Sequence, residues 1–215
     1  MSSTKRGGQR TEADNYPTPP WVTRRLLERL SLPTGGIWFE PCAGEGAIIE
    51  VARLYGSPQW RTWWANELRP EAELPLSKVV QGGHLTIADI LDPATPLPPR
   101  EDVTVIITNP AYRIAWELLH KMLREFPYAH IVLLLRVNFI ASQHRYGFMS
   151  QYMPDLYVLP NRPGFKGWGK TDSPEYGWFH WGPSPRARKT GKIELLDLTS
   201  VEERRRVSDA PIITP

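Results

Sequence analysis

Residues 109–112, Asn-Pro-Ala-Tyr, bring together an amide, a rigid proline and an aromatic ring. They directly follow residues 103–107, a short β-branched run that is typical of a strand buried on both faces of a parallel sheet. Ligands of open α/β sheets bind beyond the carboxyl ends of the strands, where these four residues would lie. An amide that hydrogen-bonds and a ring that stacks suit a flat substrate that carries an amine. An ordinary Asn-Pro turn after a buried strand is the alternative.

A second candidate site is the glycine-containing turn at residues 40–47, Glu-Pro-Cys-Ala-Gly-Glu-Gly-Ala. It lies between a predicted strand, residues 37–39, and a predicted helix, residues 48–54. The glycines remove the side-chain obstacle and let the backbone approach a nucleotide-like ligand. Their spacing differs from the dinucleotide fingerprint Gly-x-Gly-x-x-Gly, so NAD is disfavoured. Cys42 has no evident histidine partner and is interpreted as a small loop residue rather than a nucleophile.

Two acidic residues stand at the ends of the next two predicted strands. Glu67 follows residues 61–66, about twenty positions after the glycine turn, where an acid commonly hydrogen-bonds ribose hydroxyls. Asp89 lies at a third strand end, within residues 85–91. Exposed acids at strand ends are common, so it is their order after the glycine turn that makes the pair informative.

The elements that must position these residues predict an α/β fold. We expect a seven-stranded, mostly parallel sheet with one antiparallel strand and helices on both faces. Thr18 is the predicted N-cap of a first helix, which two prolines open. Ser200 and Glu203 form a Ser-x-x-Glu capping box for a last helix. Further predicted helices cover residues 21–30, 114–126 and 142–152, and further strands cover residues 129–135, 156–159, 176–181 and 193–198.

Length and composition limit the class of protein. The chain has 215 residues, of which 41% are hydrophobic, so it fits one domain with a substantial core. We expect a flexible tail at residues 1–13, a main domain at residues 14–198 and a C-terminal helix and tail at residues 199–215. No apolar run is long enough to cross a bilayer, and the N-terminus is polar. A single cysteine excludes an internal disulfide, which suits a cytoplasmic protein.

The formal net charge of +3 does not by itself imply nucleic acid, but two segments concentrate basic residues. The loop at residues 160–173 is also rich in glycine and aromatic side chains, a composition that can grip phosphate and stack a base. Its candidate contacts are Phe165, Lys166, Trp168 and Lys170, and those of the second segment are Arg186, Arg188 and Lys189. A mobile hairpin loop and a solvated surface face are the alternatives. No spacing of His, Cys or Asp suggests zinc, so no metal is predicted.

Together these motifs resemble the phage-type DNA N6-adenine methyltransferases, which use S-adenosylmethionine (SAM). The resemblance covers residues 14–181 and includes a Tyr-x-Thr-Pro segment, the glycine turn and the Asn-Pro-Ala-Tyr turn, where Ala111 replaces the family's second proline. It implies a Rossmann-like SAM-methyltransferase domain with DNA as partner. The resemblance implies that Glu67 binds the SAM ribose, that Asp89 accepts from the adenine amine and that Ile90 packs on the adenine ring. The implied cofactor residues are Tyr16, Thr18, Glu40, Pro41, Cys42, Gly44, Gly46, Glu67, Asp89, Ile90 and Asn109.

The resemblance also implies a mechanism for the turn. The side-chain carbonyl of Asn109 and the backbone carbonyl of Pro110 would accept the two hydrogens of an adenine amine and restore its lone pair. Tyr112 would stack on a base taken out of the duplex, and Phe165 would cover the other face. Because Ala111 is less rigid than proline, the Pro110 carbonyl would be held less firmly.

Several alternatives remain open. The same turn serves enzymes that methylate cytosine N4, guanine N2 in RNA or a protein glutamine. A catalytically silent SAM-fold module that binds nucleic acid is supported by Ala111, whereas the retained Glu67 and Asp89 argue against it. Only about thirty residues follow the last predicted core strand, which predicts short or relaxed sequence specificity.

Overall fold

A computed structural model describes residues 17–55, 61–165, 173–183 and 191–205. In these residues eight strands form one sheet, and six α-helices accompany it. The strands are β1 Gly36–Glu40, β2 Arg61–Glu67, β3 His84–Ile87, β4 Val103–Thr108, β5 His130–Arg136, β6 Asp155–Val158, β7 Tyr176–Trp181 and β8 Ile193–Leu195. The helices are α1 Pro20–Arg29, α2 Ala47–Ala52, α3 Glu73–Val80, α4 Ala115–Glu125, α5 Tyr146–Met149 and α6 Val201–Arg205. None of the helices in the described ranges is both long and apolar enough to cross a membrane.

The sheet has the strand order β3-β2-β1-β4-β5-β7-β6-β8. Strand β7 is antiparallel to its neighbours β5 and β6, and every other pair is parallel. The predicted fold class, a mostly parallel sheet with one antiparallel strand, is therefore confirmed. The sheet has eight strands rather than the predicted seven, because the short strand β8 pairs with β6 at the outer edge.

Strand β4 lies near the centre of the sheet, between β1 and β5. Its residues Val105, Ile106 and Ile107 are fully buried, as expected for a strand covered on both faces. Alternate side chains enter two different cores. Val105 and Ile107 pack in the first core with α1 and α2, and Ile106 packs in the second core with α4.

Most predicted helices occur within one or two residues of the expected bounds, but three details differ. Thr18 does not cap α1, whose N-cap residue is Pro19 and has no side-chain cap bond. The predicted helix at residues 142–152 is a 3-10 turn, Gln143–Arg145, followed by the short α5. Helix α3 was not predicted from the sequence. At the last helix the expected cap forms, since the Glu203 N–H donates to Ser200 Oγ at 3.1 Å.

Candidate active site

The four segments that carry the predicted functional residues meet at one edge of the sheet. Strands β3, β2, β1 and β4 are neighbours and parallel, so their carboxyl ends lie side by side. The glycine turn follows β1, Glu67 ends β2, Asp89 follows β3 and Asn109 follows β4. This is the edge at which open α/β sheets bind their ligands.

The glycine turn needs its glycines for two different reasons. Gly44 and Gly46 both have a positive φ, at 56° and 93°, which side chains disfavour. Gly46 is also the N-cap residue of α2, and a Cβ there would lie 2.9 Å from Val79 Cγ1. Among the described residues, a Cβ added at Gly44 would meet only Arg69 Nη2, at 3.8 Å, so none of them crowds the backbone there.

Glu67 fastens the glycine turn to the end of β2. Its Oε2 accepts a hydrogen bond from the Gly44 N–H at 2.7 Å. Its Oε1 accepts from the backbone N–H of Arg69 at 3.1 Å and from Arg69 Nε at 2.8 Å. A carboxylate has about four acceptor positions, so three bonds leave room for one more donor. Arg69 was not singled out in the sequence, where nothing but its closeness to Glu67 marks it.

Asn66 is a further residue that the sequence did not reveal. It is 1% exposed, and its Nδ2 donates to the carbonyls of Pro41 at 3.2 Å and of Ala88 at 3.1 Å. Its own backbone carbonyl accepts from the Ala43 N–H at 2.9 Å. One buried amide thus joins the glycine turn to the segment that leaves β3. An amide next to a strand-end acid was its only signal in the sequence.

Burial raises the pKa of two ionisable groups of the turn, Glu40 and Cys42. Burial, with the negative charge of Glu67 adding to it, keeps the pKa of Glu40 well above its ordinary value, although a hydrogen bond from the Ile49 backbone opposes the shift. Burial also raises the pKa of the Cys42 thiol, with Glu67 again contributing. A thiol that does not ionise agrees with the interpretation of Cys42 as a loop residue.

In the segment after β3, the side chain of Asp89 is exposed and that of Ile90 is buried. Asp89 is exposed, and its Oδ1 accepts from the Leu91 N–H at 2.9 Å. Ile90 is only 3% exposed and packs in the second core, so it offers little surface to an adenine ring. Lys121 of α4 holds this segment by donating from Nζ to the carbonyls of Ile90 at 2.6 Å and Asp92 at 3.0 Å. Burial lowers the pKa of Lys121.

The Asn-Pro-Ala-Tyr turn is joined to the segment before α1. Asn109 Nδ2 donates to Thr18 Oγ1 at 3.1 Å, and Thr18 is 4% exposed. Because the amide nitrogen is engaged, Oδ1 is the atom of Asn109 that remains for a substrate donor. Thr18 therefore orients Asn109 instead of capping α1, a contact between residues 91 positions apart.

The aromatic residue of the turn stands at the protein surface. Tyr112 is 45% exposed, and the Arg136 guanidinium carbon lies 5.1 Å from its ring centroid. The Ala111 carbonyl accepts from the Ile114 N–H at 3.0 Å and so leads the chain into α4. Pro110 itself is buried, so its packing helps to fix the turn.

Phe165 is not placed as expected. It is 8% exposed and packs in the first core, with its ring centroid 5.0 Å from that of Tyr176. Because core packing occupies the ring, it has no open face on which a base could stack, and this contradicts the predicted role of Phe165. The remaining predicted contacts fall outside the described residues: Tyr16, Lys166, Trp168, Lys170, Arg186, Arg188 and Lys189.

The chain is similar to known proteins in fold but not in sequence. No family model matches it, and no curated protein is detectably similar in sequence. The methyltransferase subunit of a type I restriction-modification system from Streptococcus thermophilus has a TM-score of 0.62 and 12% identity, over 86% of this chain and 49% of that one. A dimethyladenosine transferase from Plasmodium falciparum has a TM-score of 0.57 and 13% identity, over 77% and 62%.

A third similar structure has a different kind of substrate. The precorrin-6y C5,15-methyltransferase from Geobacter metallireducens has a TM-score of 0.55 and 15% identity, over 75% of this chain and 88% of that one. The chain spans about half the length of the restriction-modification subunit, so the activity of that whole protein is not thereby assigned to it. What the three structures share is the sheet and its helices. The chain has the Rossmann-like fold of the SAM-dependent methyltransferases.

Proposed function

We propose that the protein transfers the methyl group of SAM to the N6 amine of adenine in DNA. The observation that carries this proposal is the orientation of Asn109, whose amide nitrogen is bound by Thr18 and whose Oδ1 remains for an amine. The exposed ring of Tyr112 stands three residues further on. The fold agrees with this reaction, and two proteins of similar fold are a restriction-modification methyltransferase and a dimethyladenosine transferase.

The residues at the carboxyl ends of β1, β2 and β3 fit SAM. The open backbone at Gly44 can approach the cofactor, and the remaining acceptor position of Glu67 suits a ribose hydroxyl. Asp89 is exposed, and its second oxygen can accept from the adenine amine. When bound, SAM supplies an electrophilic methyl group on a sulfonium.

The protein's part in the reaction is mainly to position the amine. An adenine amine is a weak nucleophile because its lone pair is delocalised into the ring. Asn109 Oδ1 and the Pro110 carbonyl accept its two hydrogens and so return the lone pair to nitrogen. Tyr112 stacks on the base, which must leave the duplex to reach the site. The transfer would leave S-adenosylhomocysteine and a cationic amine, which loses one proton to water. No strong base is required, since orientation alone can lower the barrier by several kcal/mol.

The direct test is methyl transfer from labelled SAM to unmethylated duplex DNA, followed by mass analysis of the nucleosides. N6-methyladenine is the expected product, and Asn109→Ala should lower kcat by about 100-fold or more. Gln81→Ala is the matched control, because it removes an exposed amide just before β3, away from the site. Thr18→Val should lower kcat by about tenfold, and Thr18→Ser should retain activity because it keeps the hydroxyl that orients Asn109.

Other products would change the conclusion in defined ways. N4-methylcytosine would keep the mechanism and change the base. SAM binding without transfer to DNA would point to another planar nitrogen, in RNA or in a protein glutamine. A protein that binds no SAM would be a silent nucleic-acid-binding module. We propose short or relaxed sequence specificity, which a long and strict site in mapped methylated DNA would contradict.

A further inference from the structure

We infer that Tyr112, Trp116, Arg136, Arg145 and Tyr146 form one surface that binds the nucleic-acid strand flanking the target base. We call it the aromatic–basic surface. The inference rests on the proposed function, because it extends from the same Tyr112 that would stack on the target base. Tyr112 stands in the turn before α4 and Trp116 on α4, whereas Arg136 ends β5 and Arg145 and Tyr146 lie where the 3-10 turn leads into α5.

The fold brings the two parts of this surface together. Strands β4 and β5 are parallel neighbours, and Thr108 pairs with Leu133, so the segments that follow them leave the same edge of the sheet. Buried Phe139 joins these segments, since its ring centroid lies 6.5 Å from that of Tyr112 and 6.2 Å from that of Trp116. The surface is therefore continuous with the candidate catalytic turn.

Aromatic rings hold the guanidinium groups of the surface in place. The Arg145 guanidinium carbon lies 4.4 Å from the ring centroid of Phe139 and 5.9 Å from that of Trp116. Arg145 Nε donates to the Phe139 carbonyl at 2.7 Å. In the described part of the chain Arg145 makes no ion pair with a carboxylate, so its terminal N–H groups can meet a phosphate. A guanidinium fixed in this way loses little freedom when it binds.

The charge and exposure of the surface match a nucleic-acid strand. Residues 126–154 contain no Asp or Glu but include Arg136 and Arg145, so this part of the surface carries positive charge, which favours a polyanion. Tyr146 is 72% exposed, and Tyr112 is 45% exposed. Exposed rings beside fixed cations are the combination that binds single strands, through base stacking and phosphate contacts together. An acidic peptide would use the cations but leave the rings without partners.

The test measures binding of a fluorescently labelled single-stranded oligonucleotide, by anisotropy, at several salt concentrations. Arg145→Gln and Tyr146→Ser should each raise Kd by about fivefold to thirtyfold. Arg145→Gln should also lower the slope of log Kd against log salt by about 0.7, the loss of one phosphate contact on a single strand. The affinity for SAM should stay unchanged in both variants.

The matched controls remove similar groups at the opposite edge of the sheet. Arg124→Gln removes a charge from the last turn of α4, where the side chain is 68% exposed. Tyr128→Ser removes a ring that is 79% exposed, just before β5. Neither should change Kd by more than about twofold. Because Tyr146 is 72% exposed, its variant remains informative even if Arg145→Gln unfolds the protein.

The outcomes separate this surface from the proposed function. Equal Kd values in test and control variants of an active methyltransferase would overturn the surface and leave the function standing. If the protein methylates nothing but only the test variants lose affinity for the strand, the inferred surface is supported and the proposed function is overturned. A wild-type protein with no measurable affinity for the strand would overturn the inference.

Discussion

The two halves of the candidate site are built in opposite ways. The half that would hold SAM contains buried polar residues, with Glu40 and Asn66 1% exposed and Glu67 7% exposed. The half that would hold the base consists of exposed rings and cations around Tyr112. Internal hydrogen bonds thus fix the first half before any ligand binds, whereas the second half is part of the surface. We expect changes in the first half to cost both fold and function, and changes in the second to cost function alone.

The largest effect should come from Asn66→Ala. The substitution removes the buried side-chain NH2 group of Asn66. The carbonyls of Pro41 and Ala88 then lose the donor that now bonds to both. We expect the free energy of unfolding to fall by about 3 kcal/mol and the Kd for SAM to rise more than about tenfold. Urea unfolding and calorimetry measure the two quantities. Asn138→Ala, at an exposed asparagine, should change stability by no more than about 0.5 kcal/mol.

Tyr112→Ala should separate function from stability. With nearly half of its surface exposed, the side chain contributes less than about 1 kcal/mol to folding. Loss of base stacking should nevertheless lower kcat/KM for DNA by about tenfold or more, with the affinity for SAM unchanged. Steady-state kinetics and thermal melting provide the measurements. A parallel loss of SAM binding would show that the two halves of the site are not independent.

The smallest effect is a pH dependence that belongs to the buried half. The pKa of Glu40 is higher in the folded protein than in the unfolded chain, so the folded state binds more protons above about pH 4.5. Stability from this group is therefore greatest at low pH and falls as pH rises toward the folded pKa. Glu40→Gln stays neutral, so relative to wild type it should gain stability with rising pH, by at most about 1.4 kcal/mol per pH unit. Urea unfolding at about pH 5 and about pH 6 tests the sign, and an opposite trend would show that Glu40 is ionised in the folded state.

The features that could be predicted from the sequence depend on local residue order. Strand β4 was evident because its β-branched run needs burial on both faces, and the glycine turn was evident because its backbone needs Gly44 and Gly46. Helix α3 was missed because Pro75 lies near its start and suggests a break, although proline is tolerated in the first turn of a helix. Local pattern thus identified the sheet and most of the turns at its edge.

The features that escaped prediction are contacts between distant segments. Thr18 was assigned to a cap, because nothing in the sequence indicates that its hydroxyl meets an amide 91 positions later. Phe165 was assigned to a base, because a loop aromatic gives no sign that it packs in a core with Tyr176. The bonds of Asn66 and Lys121 also span more than twenty residues. Each depends on where the sheet brings two chain segments together.

Helix α4 has a consequence for how this protein can be recombined. It begins directly after the Asn-Pro-Ala-Tyr turn, and its Lys121 holds the carbonyls of Ile90 and Asp92. One helix therefore fixes the position of the Asn-Pro-Ala-Tyr turn relative to the segment that would bind the cofactor's adenine. A chimera joined inside residues 90–121 would take these parts from different parents and lose that relative position. A junction after residue 141 would leave them intact but would divide the aromatic–basic surface, with Tyr112, Trp116 and Arg136 from one parent and Arg145 and Tyr146 from the other.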